Sequence, residues 1–384
     1  MNRLPQARQA FRAAAGLLLA LLAALGPAAA QPGGECAYAA PVCAVRASVF
    51  HVAAYGLDAN AVRIGDGLLV TNRHVVADEE DVVVFLADGS QIPGKVVPAS
   101  YAGDLVLIEA KLPDGPVIAL DEDADKGPWQ TVAASADFRF VRVYPPGGPL
   151  ALPAEDRPLA RIHHTAQSQF GASGGALVDR EGELVGIVAS GGEGRGEAIP
   201  ARAIAELRAA SGAAHAEESR RIGTAHRDCD WALDKARQVG RGLPEPLAAT
   251  LEARCLAGGN KLQIELAAQA LGRAGLLDRS AELFERALSQ DPEAINTRLG
   301  YLTTLHLSAR FADEVPIIRD LIELIPEDDQ LQRYAVQAGK WGGDMELAEE
   351  GARLVEQYNP AQGEAVRRFL QAEMPPPRRQ PPPP

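Results

Sequence analysis

The chain has 384 residues, of which 47% are hydrophobic and 23% charged, and its formal net charge at pH 7 is −13. This length exceeds what a single hydrophobic core usually organises, so we expect two domains. The acidic balance argues against nucleic acid and anionic lipid as partners, because both carry negative charge themselves.

The first 30 residues have the pattern of a bacterial secretory signal peptide. Arg3, Arg8 and Arg12 precede a short apolar run at residues 13–25, and three alanines before Gln31 form a small-residue cleavage site. The run is short for a spanning helix, although an uncleaved anchor is the alternative. Cleavage removes the three arginines and lowers the formal net charge from −13 to −16. We expect a periplasmic or secreted protein with no membrane span after cleavage.

Four cysteines follow the leader: Cys36, Cys43, Cys229 and Cys255. An even number in an exported chain favours two disulfides. Three pairings are possible in principle, and the spacing favours two local bridges, Cys36 to Cys43 and Cys229 to Cys255.

The first half of the chain has the pattern of a β domain. Short β-branched and apolar runs alternate with Gly, Pro and Asp, which favours barrels or a sandwich over βαβ units. The acidic residues 121–128 are typical of a linker between two β units, and residues 201–210 have a helical pattern that would close the domain. The clearest strand runs are residues 48–54, 68–71, 82–86, 95–98, 105–109, 117–120, 131–134, 138–144 and 161–166.

Ser173 lies in the glycine-rich stretch FGASGGALVD, residues 170–179. Gly171 and Gly174 permit positive φ around this serine. The amides of Gly171 and Ser173 can then point the same way, as in an oxyanion hole beside a nucleophile. On its own the stretch is equally typical of a flexible loop.

Two other residues complete a candidate catalytic triad. His74 follows a short apolar strand in GDGLLVTNRHVVAD, and Asp104 immediately precedes the apolar run of residues 105–108. A serine hydroxyl needs a neutral imidazole to take its proton, and the imidazole needs a carboxylate on its other nitrogen. Each residue alone is typical of an ordinary structural position. Together with Ser173, in the chain order His, Asp, Ser, they favour nucleophilic catalysis.

The stretches TNRHVV, GDLVLI, FGASGGALVD and GEAIPARAI resemble the trypsin/chymotrypsin clan, and within it the HtrA-like branch, over about residues 45–210. The resemblance implies two perpendicular six-stranded β-barrels with the active site in the cleft between them. It also implies that His74 is the general base, Asp104 its orienting acid and Ser173 the nucleophile, with the amides of Gly171 and Ser173 as the oxyanion hole.

The chain departs from the family pattern around the substrate pocket. Ala172 stands where the family usually has Asn or Asp, and Gln167 occupies a position that is acidic in trypsins. A preference for Lys or Arg at the cleavage site is therefore not supported. Ser190, Gly191 and Gly192 would form an open pocket wall, and we expect a neutral P1 residue.

The second half of the chain has helical periodicity. Pro292, Pro326 and Pro360 recur at intervals of 34, which is the tetratricopeptide period. About residues 261–360 resemble such repeats, and a preceding helical pair is expected at residues 225–258. An ordinary helical bundle is the alternative.

The first repeat matches the tetratricopeptide pattern best. The repeat pattern requires small, small, aromatic, small and Pro residues at fixed positions. In this chain those positions are occupied, in order, by Ala268, Ser280, Phe284, Ala287 and Pro292. The next unit has Glu314 and Leu321 in place of small residues. Stacked helical pairs form a concave surface suited to peptides or partner proteins. Asn296, Arg333 and Lys340 are candidates to line it, although a solvated face is the alternative.

The sequence therefore predicts a multidomain β + α protein. A double β-barrel, trypsin-like domain at residues 36–210 would be followed by an α-helical tetratricopeptide-like solenoid at residues 220–372 and a disordered Pro-rich tail at residues 373–384. The predicted function is an exported serine endopeptidase whose helical repeats bind protein or peptide substrates or a partner. The alternative is a catalytically inactive, protease-like binding protein. No cofactor or metal is expected, since the adjacent His163 and His164 cannot easily aim at one ion.

Overall fold

The computed structural model describes residues 36–55, 57–121, 127–135, 138–192, 194–240 and 242–377. The expected signal peptide and most of the expected linker lie outside the described residues. From Ala37 onward the chain folds as one unit, in which a β domain precedes a helical domain. A short helix α1, Ala40–Ala44, leads into the first strand.

The first six strands form a closed barrel. Their order around it is β1-β2-β3-β6-β5-β4, with neighbouring strands antiparallel. Side chains such as Val52, Leu69, Val84 and Ile108 pack together in its core. The one-turn helix α2, Arg73–Val76, follows the third strand. The strands are β1 Val49–Ala54, β2 Leu57–Gly65, β3 Leu68–Thr71, β4 Asp81–Phe85, β5 Gln91–Val97 and β6 Val106–Ala110.

Strand β2 is absent from the strands that the sequence pattern predicts. Its first residues include Asp58 and Asn60, which are uncommon in strands. Asn60 is nevertheless fully buried, because its side chain hydrogen-bonds to the main chain of Ala134 and Gly171 in the second half of the domain. The hydrogen bonds of Asn60 to distant segments thus outweigh the low strand propensity of the residues at the start of β2.

The second half of the β domain is a seven-stranded sheet in the order β8-β7-β11-β12-β13-β10-β9. Its core contains the fully buried Trp129 together with Leu177 and Val188. The strands are β7 Gln130–Ser135, β8 Phe138–Val143, β9 Pro149–Ala151, β10 Ile162–His164, β11 Ala176–Val178, β12 Leu184–Gly192 and β13 Arg195–Pro200.

This sheet differs from the six-stranded barrel that the resemblance implied. Among the described residues, its outer strands β8 and β9 do not pair with each other. An isolated bridge between Trp129 and Gly147 draws the start of β7 towards the segment that leads into β9. Strand β9 is three residues long and begins with Pro149, which has no N–H to extend the ladder. Residues 117–120, expected as a strand, contribute only a bridge from Leu120 to Leu184.

The helical domain follows α3, Ala203–Ala209. Three successive helix pairs repeat with a fixed length. Their first helices begin at Lys261, Ile295 and Asp329, and their second helices at Leu277, Phe311 and Met345, so both sets recur every 34 residues. None of the helices in the described ranges has the length and apolarity to cross a bilayer. The helices are α4 Ala216–Val239, α5 Glu245–Gly258, α6 Lys261–Arg273, α7 Leu277–Gln290, α8 Ile295–Leu307, α9 Phe311–Leu324, α10 Asp329–Gly342, α11 Met345–Tyr358 and α12 Pro360–Gln371.

Small residues allow the helices to approach closely. Ser280 is fully buried and donates through Oγ to the main-chain oxygen of Ala268 at 2.8 Å. A Cβ at Gly300 would lie 2.8 Å from the ring of Phe284. Glu314, where a small residue was expected, is buried with its carboxylate 3.0 Å from Nδ1 of His306.

A disulfide joins Cys229 of α4 to Cys255 of α5, the pairing favoured by their spacing. Cys36 and Cys43 are disulfide-bonded as well. The helical pair that contains Cys229 was expected to begin at residue 225, but α4 begins at Ala216, so Cys229 lies in the middle of this helix. The bridge therefore fastens α5 to the centre of α4.

Candidate active site

His74 lies in helix α2, immediately after strand β3. Its backbone N–H donates to Oδ1 of Asp104 at 2.9 Å, and Nδ1 of its ring lies 2.7 Å from Oδ2 of the same carboxylate. The main-chain oxygen of Asp104 accepts from the N–H of Arg73 at 3.1 Å and from Nδ2 of Asn72 at 3.2 Å. These contacts fix the position of the ring relative to the carboxylate.

The carboxyl group of Asp104 is buried but strongly acidic. Burial favours its neutral form, but its contacts with His74, together with the Arg161 guanidinium 3.7 Å away, lower its pKa to about 2. The carboxylate is therefore negative at neutral pH. It can hold Nδ1 of His74 as the N–H tautomer and leave Nε2 as the proton acceptor.

Asn60 of strand β2 anchors the loop that carries Ser173. Its Nδ2 donates to the main-chain oxygen of Gly171 at 2.9 Å, and its N–H donates to that of Ser173 at 2.8 Å. Thr71, at the end of the strand before His74, donates through Oγ1 to the main-chain oxygen of Asn60 at 2.6 Å. Asn60 thus connects the Ser173 loop to the strand that positions His74.

The backbone of this loop depends on two glycines in the left-handed region. The φ angle is 90° at Gly171 and 76° at Gly174. A Cβ at Gly174 would lie 1.9 Å from the main-chain oxygen of Asn60, so only glycine fits there. The N–H groups of Gly171 and Ser173 donate to no acceptor in the part of the chain that the structure describes.

The hydroxyl of Ser173 donates to the main-chain oxygen of Ala189 at 3.4 Å. None of the hydrogen bonds between described residues joins this hydroxyl to His74. The structure thus brings His74 and Asp104 into direct contact. It connects the Ser173 loop to the same strand end through Asn60, without a Ser173–His74 hydrogen bond.

The residues expected to form the substrate pocket differ in their surroundings. Gln167 is exposed, and its backbone N–H donates to the main-chain oxygen of Pro145 at 3.2 Å. Gly191 and Gly192 are exposed at the end of β12, where Gly192 pairs with Arg195 of β13. These three positions add no charge to the expected pocket.

Ser190 has a role that the sequence did not indicate. Its Oγ donates to Oε2 of Glu197 at 2.8 Å and accepts from Nη1 of Arg161 at 3.0 Å. Arg161 and Glu197 are both almost fully buried and are themselves 3.0 Å apart. Arg161 directly precedes strand β10 and Glu197 lies within β13, and charged residues that are almost fully buried are usually paired.

Helix α4 packs directly behind the His74 segment. Arg73 donates through Nη2 to Oγ of Ser219 at 3.0 Å, and Arg227 of the same helix pairs with Glu79 at 2.9 Å. A Cβ at Gly223 would lie 2.4 Å from the main-chain oxygen of Ala77, so the helix touches the backbone there. The helical domain thus supports the candidate site from behind.

No three potential metal-ligating side chains converge on one point within the described ranges. His163, considered above as an unlikely ligand, instead places Nε2 3.0 Å from Oδ2 of Asp291.

Residues 59–187 match the family model described as a trypsin-like peptidase domain. A serine protease HTRA1A from Danio rerio is 34% identical over 131 residues, which cover 32% of this chain and 27% of that protein. A probable periplasmic serine endoprotease, DegP-like, from Pseudomonas fluorescens is 32% identical over 140 residues, which cover 35% of this chain and 29% of that protein. The chain thus carries a trypsin-like peptidase domain with HtrA and DegP homologues.

The alignments span less than a third of these curated relatives. Among solved structures, the serine endoprotease from Yersinia pestis is 23% identical, with a TM-score of 0.38, and the match covers 48% of this chain and 66% of that one. An HtrA-type protease, AlgW with tripeptide, is 24% identical with a TM-score of 0.39, covering 44% and 61%.

Proposed function

We propose that the protein is an exported serine endopeptidase that hydrolyses peptide bonds through Ser173, His74 and Asp104. The observation that carries the proposal is the pair of contacts between His74 and Asp104, within a segment that matches the trypsin-like peptidase domain. A buried, ionised carboxylate at Nδ1 is what a histidine needs to act as a general base.

In the proposed mechanism, Ser173 turns its hydroxyl from Ala189 to Nε2 of His74. The imidazole takes the hydroxyl proton as Oγ attacks the substrate carbonyl, and Asp104 stabilises the resulting imidazolium. The N–H groups of Gly171 and Ser173 hold the oxyanion. His74 then returns the proton to the leaving amine, and water hydrolyses the acyl-enzyme by the same steps.

The pocket proposed to receive the P1 side chain is neutral. Gln167 carries no charge, and Ser190, Gly191 and Gly192 form an open wall. The carboxylate of Glu197 lies behind Ser190 but already pairs with Arg161, so it is not available to a basic P1 residue. We infer a preference for neutral P1 residues.

The helical domain is proposed to be a tetratricopeptide-like array that binds substrates or a partner protein. The 34-residue interval between helix pairs and the buried Ala268, Ser280, Phe284 and Ala287 support this assignment. Asn296, one of the residues considered for the binding surface, contacts Arg195 of the β domain. The partner surface is therefore proposed to lie on repeats beyond that contact.

The proposed location is the periplasm or the exterior of the cell. It is supported by the pattern of the first 30 residues, by four disulfide-bonded cysteines and by the DegP-like relatives that are named as periplasmic. Disulfides persist in such oxidising compartments.

A non-catalytic, protease-shaped binding protein is the second candidate. The observation in its favour is the hydrogen bond of Ser173 to Ala189 in place of one to His74. Only an activated serine reacts readily with a fluorophosphonate, so labelling separates the two candidates.

The test compares the wild type with Ser173→Ala and with Ser289→Ala, a control serine on the surface of α7. We expect fluorophosphonate labelling and peptide hydrolysis by the wild type and by the control. Ser173→Ala should lose labelling and lower kcat by about 10⁶ if the triad acts as a unit. Labelling that persists in Ser173→Ala, or its absence from the wild type, contradicts the proposed function.

A further inference from the structure

A cluster of buried charged side chains lies where the β domain meets the helical domain. We define this interface cluster as Asp104, Arg161, His163, Glu197, Lys261 and Asp291. Each of these residues is 5% exposed or less. The first four belong to the β domain, whereas Lys261 begins helix α6 and Asp291 follows helix α7. Ionised groups with so little exposure require partners of opposite charge.

Arg161 lies between two carboxylates. Its Nη2 is 3.7 Å from Oδ2 of Asp104, and its Nη1 is 3.0 Å from Oε2 of Glu197. One guanidinium therefore faces two negative groups. The three β-domain residues alone carry a net charge of −1 in a buried site.

Lys261 supplies the missing positive charge from the helical domain. Its Nζ lies 2.9 Å from Oε1 and 2.8 Å from Oε2 of Glu197, so it contacts both oxygens of the carboxylate. Although burial opposes ionisation of Glu197, the charges of Lys261 and Arg161 hold its pKa below the usual range. With Lys261 present, Arg161 does not have to neutralise Glu197 alone.

Asp291, the other residue that the helical domain contributes to the interface cluster, pairs with His163 of the β domain. Asp291 lies 3.0 Å from Nε2 of His163 and 3.5 Å from Nζ of Lys261. The contact of His163 with Glu197 is longer, at 3.9 Å from Nδ1 to Oε1. Loss of Lys261 therefore affects Glu197 most.

We infer that Lys261 is a positioning residue for the proposed triad: by pairing with Glu197 it leaves Arg161 beside Asp104, which orients His74. Without Lys261, Glu197 draws the guanidinium towards itself or remains as an unpaired buried charge. Either outcome disturbs the surroundings of Asp104. The helical domain is then part of the active centre as well as a candidate binding module. This inference rests on the proposed function.

The experiment uses the full chain and replaces Lys261 by Met, which keeps most of the side-chain volume but not the charge. We expect kcat and the rate of fluorophosphonate labelling to fall 10- to 100-fold, with KM changed less than about threefold, because the contact acts on the catalytic groups. Lys235→Met, at an exposed position of α4, is the matched control and should behave as the wild type.

Two further variants separate charge from packing. Lys261→Arg keeps the positive charge and should retain most of the labelling rate. The double variant Glu197→Gln with Lys261→Met removes one charge of each sign, which leaves Arg161 to Asp104. We expect the double variant to react at least tenfold faster than Lys261→Met. A purely structural role for Lys261 would give no such recovery per folded molecule.

The fraction of folded protein is measured by circular dichroism for every variant. If Lys261→Met does not fold, Lys261→Gln takes its place, since it retains a donor to Glu197 without the charge and should also react about tenfold more slowly. A folded Lys261→Met or Lys261→Gln variant with wild-type kcat overturns the inference, as does a folded double variant as slow as the single one.

Failure of this inference is distinguishable from failure of the proposed function. A wild type that is not labelled, or a Ser173→Ala variant that is, removes the proposed function itself. A wild type labelled at Ser173 together with an unaffected Lys261 variant removes only the role assigned to Lys261.

Discussion

His226 of helix α4 is a buried histidine close to the candidate triad. It is 2% exposed. Burial lowers the pKa of its imidazole to about 4; Arg73 and His74 act in the same direction as burial, and Asp104 acts in the opposite direction. An unfolded histidine titrates near 6.5. Between these pH values the unfolded chain binds a proton that the folded chain does not, so the free energy of unfolding increases with pH across this window.

Replacement of His226 by Phe should remove this contribution. From pH 7 to pH 5, we expect the wild type to lose roughly 2 kcal/mol of unfolding free energy through this one group. The loss in His226→Phe should be smaller by that amount. Urea unfolding of both proteins at the two pH values measures the difference. Equal losses would show that His226 takes up its proton as readily in the folded protein as in the unfolded chain.

The triad candidates were predictable at the level of single residues because short motifs surround them. His74, Asp104 and Ser173 each lie next to an apolar strand or a glycine turn that the sequence displays directly. The direction of the Ser173 hydroxyl, towards Ala189, was not predictable. A side-chain torsion depends on the packing around it, which no local pattern encodes.

At the scale of elements, helices α4 and α5 depend on a covalent connection. The bridge from Cys229 to Cys255 closes a loop over a sequence separation of 26. Helix α4 also carries Ser219, Gly223 and Arg227, which contact the His74 segment. The bridge therefore stabilises the helix on which the candidate site rests.

Removal of this bridge should lower stability measurably. We expect the double variant Cys229→Ser with Cys255→Ser to lose about 3.5 kcal/mol of unfolding free energy on the chain-entropy estimate. Urea unfolding under non-reducing conditions, with the wild type alongside, gives the value. A double variant as stable as the oxidised wild type would show that packing alone holds the two helices together.

The periodic elements were predictable and the irregular ones were not. Pro292 and Pro326, 34 residues apart, each lie three residues before the first helix of a pair, α8 and α10. Strand β2 was missed because Asn60 gains its partners from residues far along the chain. The seven-stranded sheet was missed because the resemblance implied a family average, whereas Pro149 limits strand β9 in this chain.

At the scale of the whole molecule, the helical domain also holds the hairpin of β12 and β13. Nε of Arg195 donates to Oδ1 of Asn296 at 3.1 Å, and Nη1 lies 3.0 Å from Oδ2 of Asp328. Arg195 pairs across the hairpin with Gly192 of the proposed pocket wall. A side of the proposed substrate pocket is thus fixed to the helical domain.

Loosening of this contact should affect substrate binding more than chemistry. We expect Arg195→Met to raise KM about three- to tenfold for a peptide substrate, with kcat changed less than about twofold, because Arg195 pairs with Gly192 of the proposed pocket wall. Steady-state kinetics measure both constants. Arg237→Met, which removes an exposed pair with Asp234 on α4, is the control. A change in kcat without one in KM would contradict this role.

The interface between the domains was beyond the reach of the sequence. Lys261, Glu197 and Arg161 come from three separate segments, and each charge taken alone is typical of a solvated position. Their pairing depends on how the helical domain meets the β domain, and one sequence contains no signal for such a contact. The helical half was therefore expected as an appended binding module, whereas Asn296 and Lys261 both face the β domain.

The contact between Lys261 and Glu197 has a consequence for biosynthesis. A ribosome completes the strands β1 to β13 that the structure describes before it adds the first residue of α6. Until then, the nascent β domain lacks the cation that Glu197 shares with the later helix. Under the role inferred for Lys261, a growing chain is a poor hydrolase, and the cell that makes it gains time to deliver the protein before it can cut its neighbours.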